Sequence, residues 1–519
     1  MTAKVPAVRV RVATVSPLMG KDNKGTEMCE DPHFTRRTLP SCRYTPWSCP
    51  LVSRQWPPTR ALKGLYSLPL LLCSAFAFAQ AAPDGAVIPA LDWQQSQQRL
   101  EQVSDALAAA DASVRNKQDL QDATRLLRLP EITGEVRRLQ FQKTLTLPLG
   151  SLAPVAEAFG IDSPLQFTER DWRTRPVVTA VLPLYTGGLI PAAQQAAAGA
   201  TDQASAERES QRQSLSVQLA QAYFGQRLAE QAVDVRREVR DGLQRHLDDA
   251  LKLEREGFAT RAQRLQANVA RDKAERDYQK SLNDLQTLKA ALATLLRSGG
   301  EVRPLSPLFV HRAPIGALPA FERDAQARQP QIARLRALVA QAEQGVRVQQ
   351  AKLKPTIFLF GQYDFRRRDE MLTDPDWAFG IGLKYTFLSP TSRPAQISAA
   401  RAQQEQAEAG LREAENQVTL GVRKAWYELD TARQQYLLLD SSIEQNRENL
   451  RLQELAFREG QATSLDVIDA RLGLGGAQVE RAQAAYQYDV ALAQLLEISG
   501  QMDRYEEFRR RGDEVITHE

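Results

Sequence analysis

The sequence predicts a mainly α-helical chain with a β-barrel contribution, built as a duplicated strand pair followed by a long coiled-coil hairpin. Three observations predict it. Arg255-Glu256-Gly257-Phe258-Ala259-Thr260 returns as Arg458-Glu459-Gly460-Gln461-Ala462-Thr463, at a spacing of 203 residues. Each copy interrupts a long, proline-free heptad pattern, which marks a coiled coil. From Trp377 to Leu388, large apolar residues alternate with small or polar ones, the period of a strand lying between two different environments.

The chain has 519 residues, 43% of them hydrophobic, and a net charge of +4, too weakly basic to imply a nucleic-acid partner. All four cysteines (Cys29, Cys42, Cys49, Cys73) precede Ala82, which excludes a disulfide scaffold or cysteine metal site from the body that follows. Leu65 to Phe78 is a short apolar run, preceded by Arg60 and Lys63 and followed by Ala77-Phe78-Ala79-Gln80-Ala81. Residues 58–81 therefore read as a cleaved secretory signal, too short for a membrane helix. Residues 1–57, rich in Pro, Cys and Arg and without periodicity, read as a non-native or disordered extension. Export is the expectation.

A first repeat is expected over 82–298. Leu91 to about Leu127 has helical spacing, and Pro130 ends it. Leu139, Phe141, Leu145 and Leu147 then alternate with Gln140, Gln142, Thr144 and Thr146, a strand with one apolar face. Pro148 to Arg173 reads as loop. Val177 to Tyr185, apolar on both faces, reads as a second strand, punctuated by Gly187-Gly188. The proline-free stretch from Pro191 to Gly257 allows a helix of roughly 65 residues, about 100 Å long. Leu215, Leu219, Ala222, Ala229, Val233, Leu243 and Leu247 carry its apolar phase, interrupted by Gln226, Arg236 and Arg240. Gly257, lacking a Cβ, ends the helix at positive φ. Thr260-x-x-Gln263 forms a capping box for the next one.

A linker over 299–320 leads into a second repeat over 321–498, with 499–519 as a tail. Helical spacing from Phe321 to Leu353 stops at Pro355. A strand from Ile357 to Phe365 and a turn-rich loop with Asp374-Pro375 follow. In the strand from Trp377, one face carries Trp377, Phe379, Ile381, Leu383, Tyr385 and Phe387, and the other Ala378, Gly380, Gly382, Lys384 and Thr386. The second long helix carries Val418, Val422, Ala425, Leu429, Ala432, Tyr436, Leu439, Ile443 and Leu450, with Asn446 in the one polar slot. Thr463-x-x-Asp466 is a looser capping box. Ala291-Leu292-Ala293 and Ala491-Leu492-Ala493 suggest return arms differing by three residues.

The alternating faces decide the environment. An aromatic and apolar face opposite a small or polar one suits a barrel wall between lipid and a wet lumen, with an interfacial aromatic belt. Four strands cannot close such a barrel, and open edges are not tolerated in hydrocarbon. Several copies must contribute strands.

These residues resemble the TolC-like outer-membrane efflux proteins, the outer membrane factors of tripartite efflux and type I secretion systems. The resemblance rests on the duplicated plan, Pro183-Leu-Tyr-Thr-Gly-Gly-Leu189, the Gly-x-x-Thr turns and Asp466-Val467-Ile468-Asp469-Ala470. It covers roughly Leu91 to Gly500. It implies a homotrimer whose chains supply four strands each to a 12-stranded outer-membrane barrel, continued by a periplasmic α-helical tunnel. It also implies docking of a periplasmic adaptor, the membrane fusion protein, which links the tunnel to an inner-membrane transporter. Asp466 and Asp469 match aspartates that ring the inner constriction in relatives; six carboxylates would draw cations and raise one another's pKa. As acidic residues in a first helical turn, they also suit helix capping. Gly257, Phe258, Thr260, Gly460, Gln461 and Thr463 are the adaptor-docking candidates. The family's locking arginine corresponds to Ala462 and its acidic partner to Gln263, so the usual lock is missing here. Arg366-Arg367-Arg368 is expected in an outward loop, as solvated residues or paired with lipopolysaccharide phosphates.

No enzyme is expected. His246, His311 and His518 have no metal-ligand spacing, and no phosphate loop or nucleophile elbow is present. No cofactor is implied. Heptads of this length also promise no compact core. The rival from another class is a structural periplasmic coiled-coil stalk or spacer, which has no use for the face led by Trp377. Within the channel class, type I protein secretion stands beside small-molecule efflux, both by passive conduction.

Overall fold

The computed structural model describes residues 89–365, 376–512 and 514–515. The expected signal, the residues before it, Arg366-Arg367-Arg368, Asp374-Pro375 and His518 lie outside the described residues. In chain order the elements are β1 (Ala90–Leu91), α1 (Trp93–Val103), α2 (Asp105–Arg125), β2 (Glu131–Leu147), α3 (Ala153–Ala158), β3 (Leu165–Tyr185), α4 (Leu189–Arg255), α5 (Arg261–Leu295), β4 (Arg303–Pro304), β5 (Phe309–Val310), α6 (Leu318–Arg328) and α7 (Pro330–Ala351). The chain continues with β6 (Thr356–Asp364), β7 (Trp377–Lys384), α8 (Arg393–Arg458), α9 (Ser464–Ile498), α10 (Tyr505–Arg510) and β8 (Glu514–Val515).

The duplication is structural as well as sequential. Helices α4 and α8 have 67 and 66 residues, and α5 and α9 have 35 each. The return arms are thus equal in length, so the alanine-leucine-alanine offset does not reflect a shorter helix. At about 1.5 Å per residue, α4 and α8 each run about 100 Å.

Strands β2, β3, β6 and β7 form one antiparallel sheet in that order, so the β3–β6 pairing joins the two repeats. Three expectations need correction here. Leu165 to Arg173 is strand, not loop: it pairs residue for residue with Leu139 to Leu147. Arg170 and Glu169 interrupt the apolar alternation there, so hydrophobic period could not show it. The strand from Trp377 stops at Lys384, which leaves Tyr385 and Phe387 exposed beyond its end. The helices expected as single rods, 91–127 and 321–353, break at Ser104 and at Gln329. Ser104 caps α2 with its side chain, and Gln329 does the same for α7, where Pro330 cannot donate to a preceding turn.

The heptads do build a core. Val418, Val422, Ala425, Leu429, Ala432 and Tyr436 meet Leu215, Leu219, Tyr223, Phe224 and Leu492 midway along the helices, around Trp93, Phe309 and Tyr505. The segment between the repeats is part of this core through Val302, Leu308, Phe309 and Val310. Its strands pair with both ends of the described chain, β4 with β1 and β5 with β8. Gln226, which looks like a flaw in the heptad, is buried and donates from Nε2 to the Val302 carbonyl at 3.1 Å. The polar residue ties the helix to the connecting segment.

Candidate functional site: sheet face and hairpin tips

The sheet presents two unlike faces, read from its register. Ile132, Val178, Ala180, Leu182, Leu359, Tyr363, Phe379, Ile381 and Leu383 share one face, which carries no charged residue across the four strands. The other carries Glu131, Thr133, Glu135, Thr179 and Gln362, with Ala378, Gly380 and Gly382 on β7. Phe358 and Phe360 also stand there, filling the space above the β7 glycines. The apolar face is open: Trp377, Phe379, Ile381 and Leu383 are exposed, Ile381 at 70%. It ends where Arg137 and Arg138 follow Val136, so it is about eight residues, or about 27 Å, along the strands. Its outer strands β2 and β7 each have a free edge among the described residues. No helix among the described residues is long and apolar enough to cross a membrane.

At the opposite pole are the two hairpin turns. Each closes by the same hydrogen bonds: Phe258 N–H donates to the Leu253 carbonyl and Gly257 N–H to Glu254, as Gln461 does to Ala456 and Gly460 to Phe457. Gly257 and Gly460 stand at φ +83° and +72°, the left-handed geometry that a glycine C′ position supplies. Thr260 accepts from the Gln263 amide while the Thr260 N–H donates to Gln263 Oε1 at 2.7 Å. Thr463 and Asp466 repeat the box. Phe258 stands 79% exposed at the first tip, and Gln461 and Thr463 are exposed at the second.

The aspartates fall on one exposed helical face, three residues apart. Asp466 Oδ2 accepts from both the Thr463 N–H and its hydroxyl, each at 2.7 Å. The Thr463 hydroxyl and amide hold the Asp466 carboxyl below the usual aspartate range. Within one chain the capping bonds therefore act against the rise expected of crowded carboxylates.

The structure joins the two tips. Leu247 and Ala250 of α4, Ala267 of α5, Phe457 of α8 and Val467 of α9 form one small apolar cluster, and Ala462 packs against it. The two positions that lack the expected locking pair thus have other work, Ala462 in packing and Gln263 in capping. Sequence reading set His246 aside for want of metal-ligand spacing; it lies buried beside Phe457 with Nε2 2.7 Å from Ser464 Oγ. The only sequence hint was a lone polar residue next to the apolar positions Leu243 and Leu247.

The family described as outer membrane efflux protein matches residues 323–501. The chain's outer membrane efflux protein relative BepC, of Brucella suis biovar 1 (strain 1330), is 26% identical over 257 residues, 47% of this chain. The chain spans about half the length of that relative, 54%. Among solved structures, the outer membrane protein VceC of Vibrio cholerae aligns at a TM-score of 0.63 and 16% identity, over 79% of this chain and 96% of that one. CusC aligns at 0.65 and 16% identity, over 82% and 96%. At such identities the structures speak to fold, and the fold is that of outer-membrane channels with a helical tunnel.

Proposed function

We propose that the protein is the passive exit duct of a tripartite export system. Three copies close their sheets into a 12-stranded barrel, and their helices form a periplasmic tunnel that receives substrate from an inner-membrane transporter through an adaptor. The observation that carries this is the exposed, uncharged sheet face, whose outer strands each have a free edge among the described residues. Unpaired edges inside hydrocarbon cost several kcal/mol per group, so a face suited to lipid demands closure by further copies.

The hairpin turns are the adaptor's docking sites, since Phe258 and Gln461 are the exposed tips that an incoming hairpin reaches first. The cargo is selected by the transporter, because a passive duct has no coupling residues of its own. Asp466 and Asp469, three copies of each, form a cation-attracting ring at the inner mouth. Single-channel conductance in a planar bilayer tests this, comparing wild type with Asp466→Ala plus Asp469→Ala. The expectation is a low, cation-selective conductance blocked by multivalent cations from the periplasmic side, with block lost in the double variant. Channels indifferent to the substitutions would return both aspartates to helix capping. A folded trimer without channels would sink the duct.

A further inference from the structure

We propose that this chain latches its two hairpins through His246 and Ser464, braced by Arg471 across Gly242, and that mild acid releases the latch. The inference rests on the duct reading, in which the second hairpin moves relative to the first as the inner mouth opens.

The geometry is that of a clasp. His246 sits on α4, in the first hairpin, and Ser464 is the first residue of α9, in the second. Their side chains are 6% and 0% exposed and hydrogen-bonded to each other. Phe457 of α8 closes the other side of the ring, with centroids 4.7 Å apart. One turn back on α4, Gly242 leaves bare backbone where Arg471 of α9 crosses; a Cβ there would overlap the guanidinium. Arg471 then pairs with Glu454 of α8. The second hairpin's own ion pair thus lies in a notch of the first hairpin, and the two cannot separate without uncovering it. The bond also connects the helix that starts at the turn, and so anchors the segment bearing Asp466 and Asp469. It serves where the missing pair at Ala462 and Gln263 does not.

The clasp opens onto a polar cleft of about 340 Å³. From α4 it is faced by Arg245, Asp248, Asp249 and Lys252; from α8 by Glu454 and Arg458; from α9 by Arg471. Burial holds the His246 pKa below its ordinary value, and Arg471 adds to this, against the opposing pull of Asp249, Glu454 and a hydrogen bond at Ser464. The sign follows. A parted hairpin exposes His246 to water and restores its ordinary affinity for protons. Above about pH 6.5 both states are neutral and the closed latch keeps its full advantage. As pH falls below that, the parted state takes up the proton first and closure weakens. The ratio of parted to closed shifts by up to about tenfold for each pH unit between the two titrations, per copy.

Two readouts test this on the full-length protein. The first is open probability in planar bilayers at periplasmic pH 7.5 and 5.5, for wild type, His246→Gln and Ser464→Ala. Wild type is expected to open more at pH 5.5. His246→Gln keeps a hydrogen-bonding side chain but no titration, and loses the response. Ser464→Ala is more open already at pH 7.5. The second is amide hydrogen exchange of residues 464–471, corrected for the intrinsic pH dependence of exchange and independent of conduction. It rises at pH 5.5 in wild type and not in His246→Gln. An equal pH response in wild type and His246→Gln in both readouts would overturn the latch. An exchange response without any conductance would keep the latch and overturn the duct.

Discussion

Placing a charge on the apolar sheet face tests the membrane reading directly. Ile381 lies mid-strand on β7, 70% exposed in the single chain, opposite Leu359 of β6. If that face meets lipid, Ile381→Arg sets a guanidinium near the bilayer midplane, at about 2–4 kcal/mol per copy. In a closed trimer the three copies together lose about 6–12 kcal/mol. If the face meets water, as in a periplasmic stalk, the same change at an exposed site stays within about 0.5 kcal/mol. Gln362→Arg, on the opposite face of β6, is the control, which in a closed barrel would face the lumen. The assay is reversible folding into phospholipid vesicles followed by urea titration. A large loss for Ile381→Arg with little for Gln362→Arg supports the orientation. Equal losses, or none for Ile381→Arg, would refute the assignment of this face to lipid.

Further expectations follow from the turns and the core. Thr260→Ala and Thr463→Ala each remove an N-cap acceptor and are expected to cost about 1 kcal/mol, read as faster hydrogen exchange confined to the first turn of α5 or α9. Asp489 is fully buried; its Oδ2 accepts from the Phe309 N–H at 3.4 Å, while Oδ1 has no partner among the described residues. Burial pushes its carboxyl well above the aspartate value of 3.8, so the folded chain holds a proton that the unfolded chain releases. That contribution is intact below about pH 4 and erodes as pH rises. Asp489→Asn is therefore expected to gain on wild type between pH 5 and pH 8 in thermal unfolding, and a constant difference would contradict the neutral carboxyl. Leu243 is fully buried in the cluster that joins α4 to Ile468 of α9. Leu243→Ala is expected to cost about 2–5 kcal/mol, measurable as a lowered denaturant midpoint.

The local and the periodic were legible in the amino-acid order. Helices α4, α5, α8 and α9, both capping boxes and the two glycine turns follow from proline placement, heptads and residue types acting within four positions. The alternation along β7 named its exposed face before any contact was known. The first half of β3 was hidden, because a ribbon with polar side chains on both sides shows no hydrophobic period. What only tertiary structure decided were contacts between residues far apart in the chain. The pairing of β3 with β6 made two strand pairs into one sheet and gave all four strands a common apolar face. Gln226 changed from a heptad flaw to a tie because Val302 came within reach. His246 shows no metal-ligand spacing in the sequence, and becomes a candidate latch because packing sets it 2.7 Å from a serine 218 residues away. Periodicity reports which face of an element is buried; it carries no information about which distant polar group meets that face.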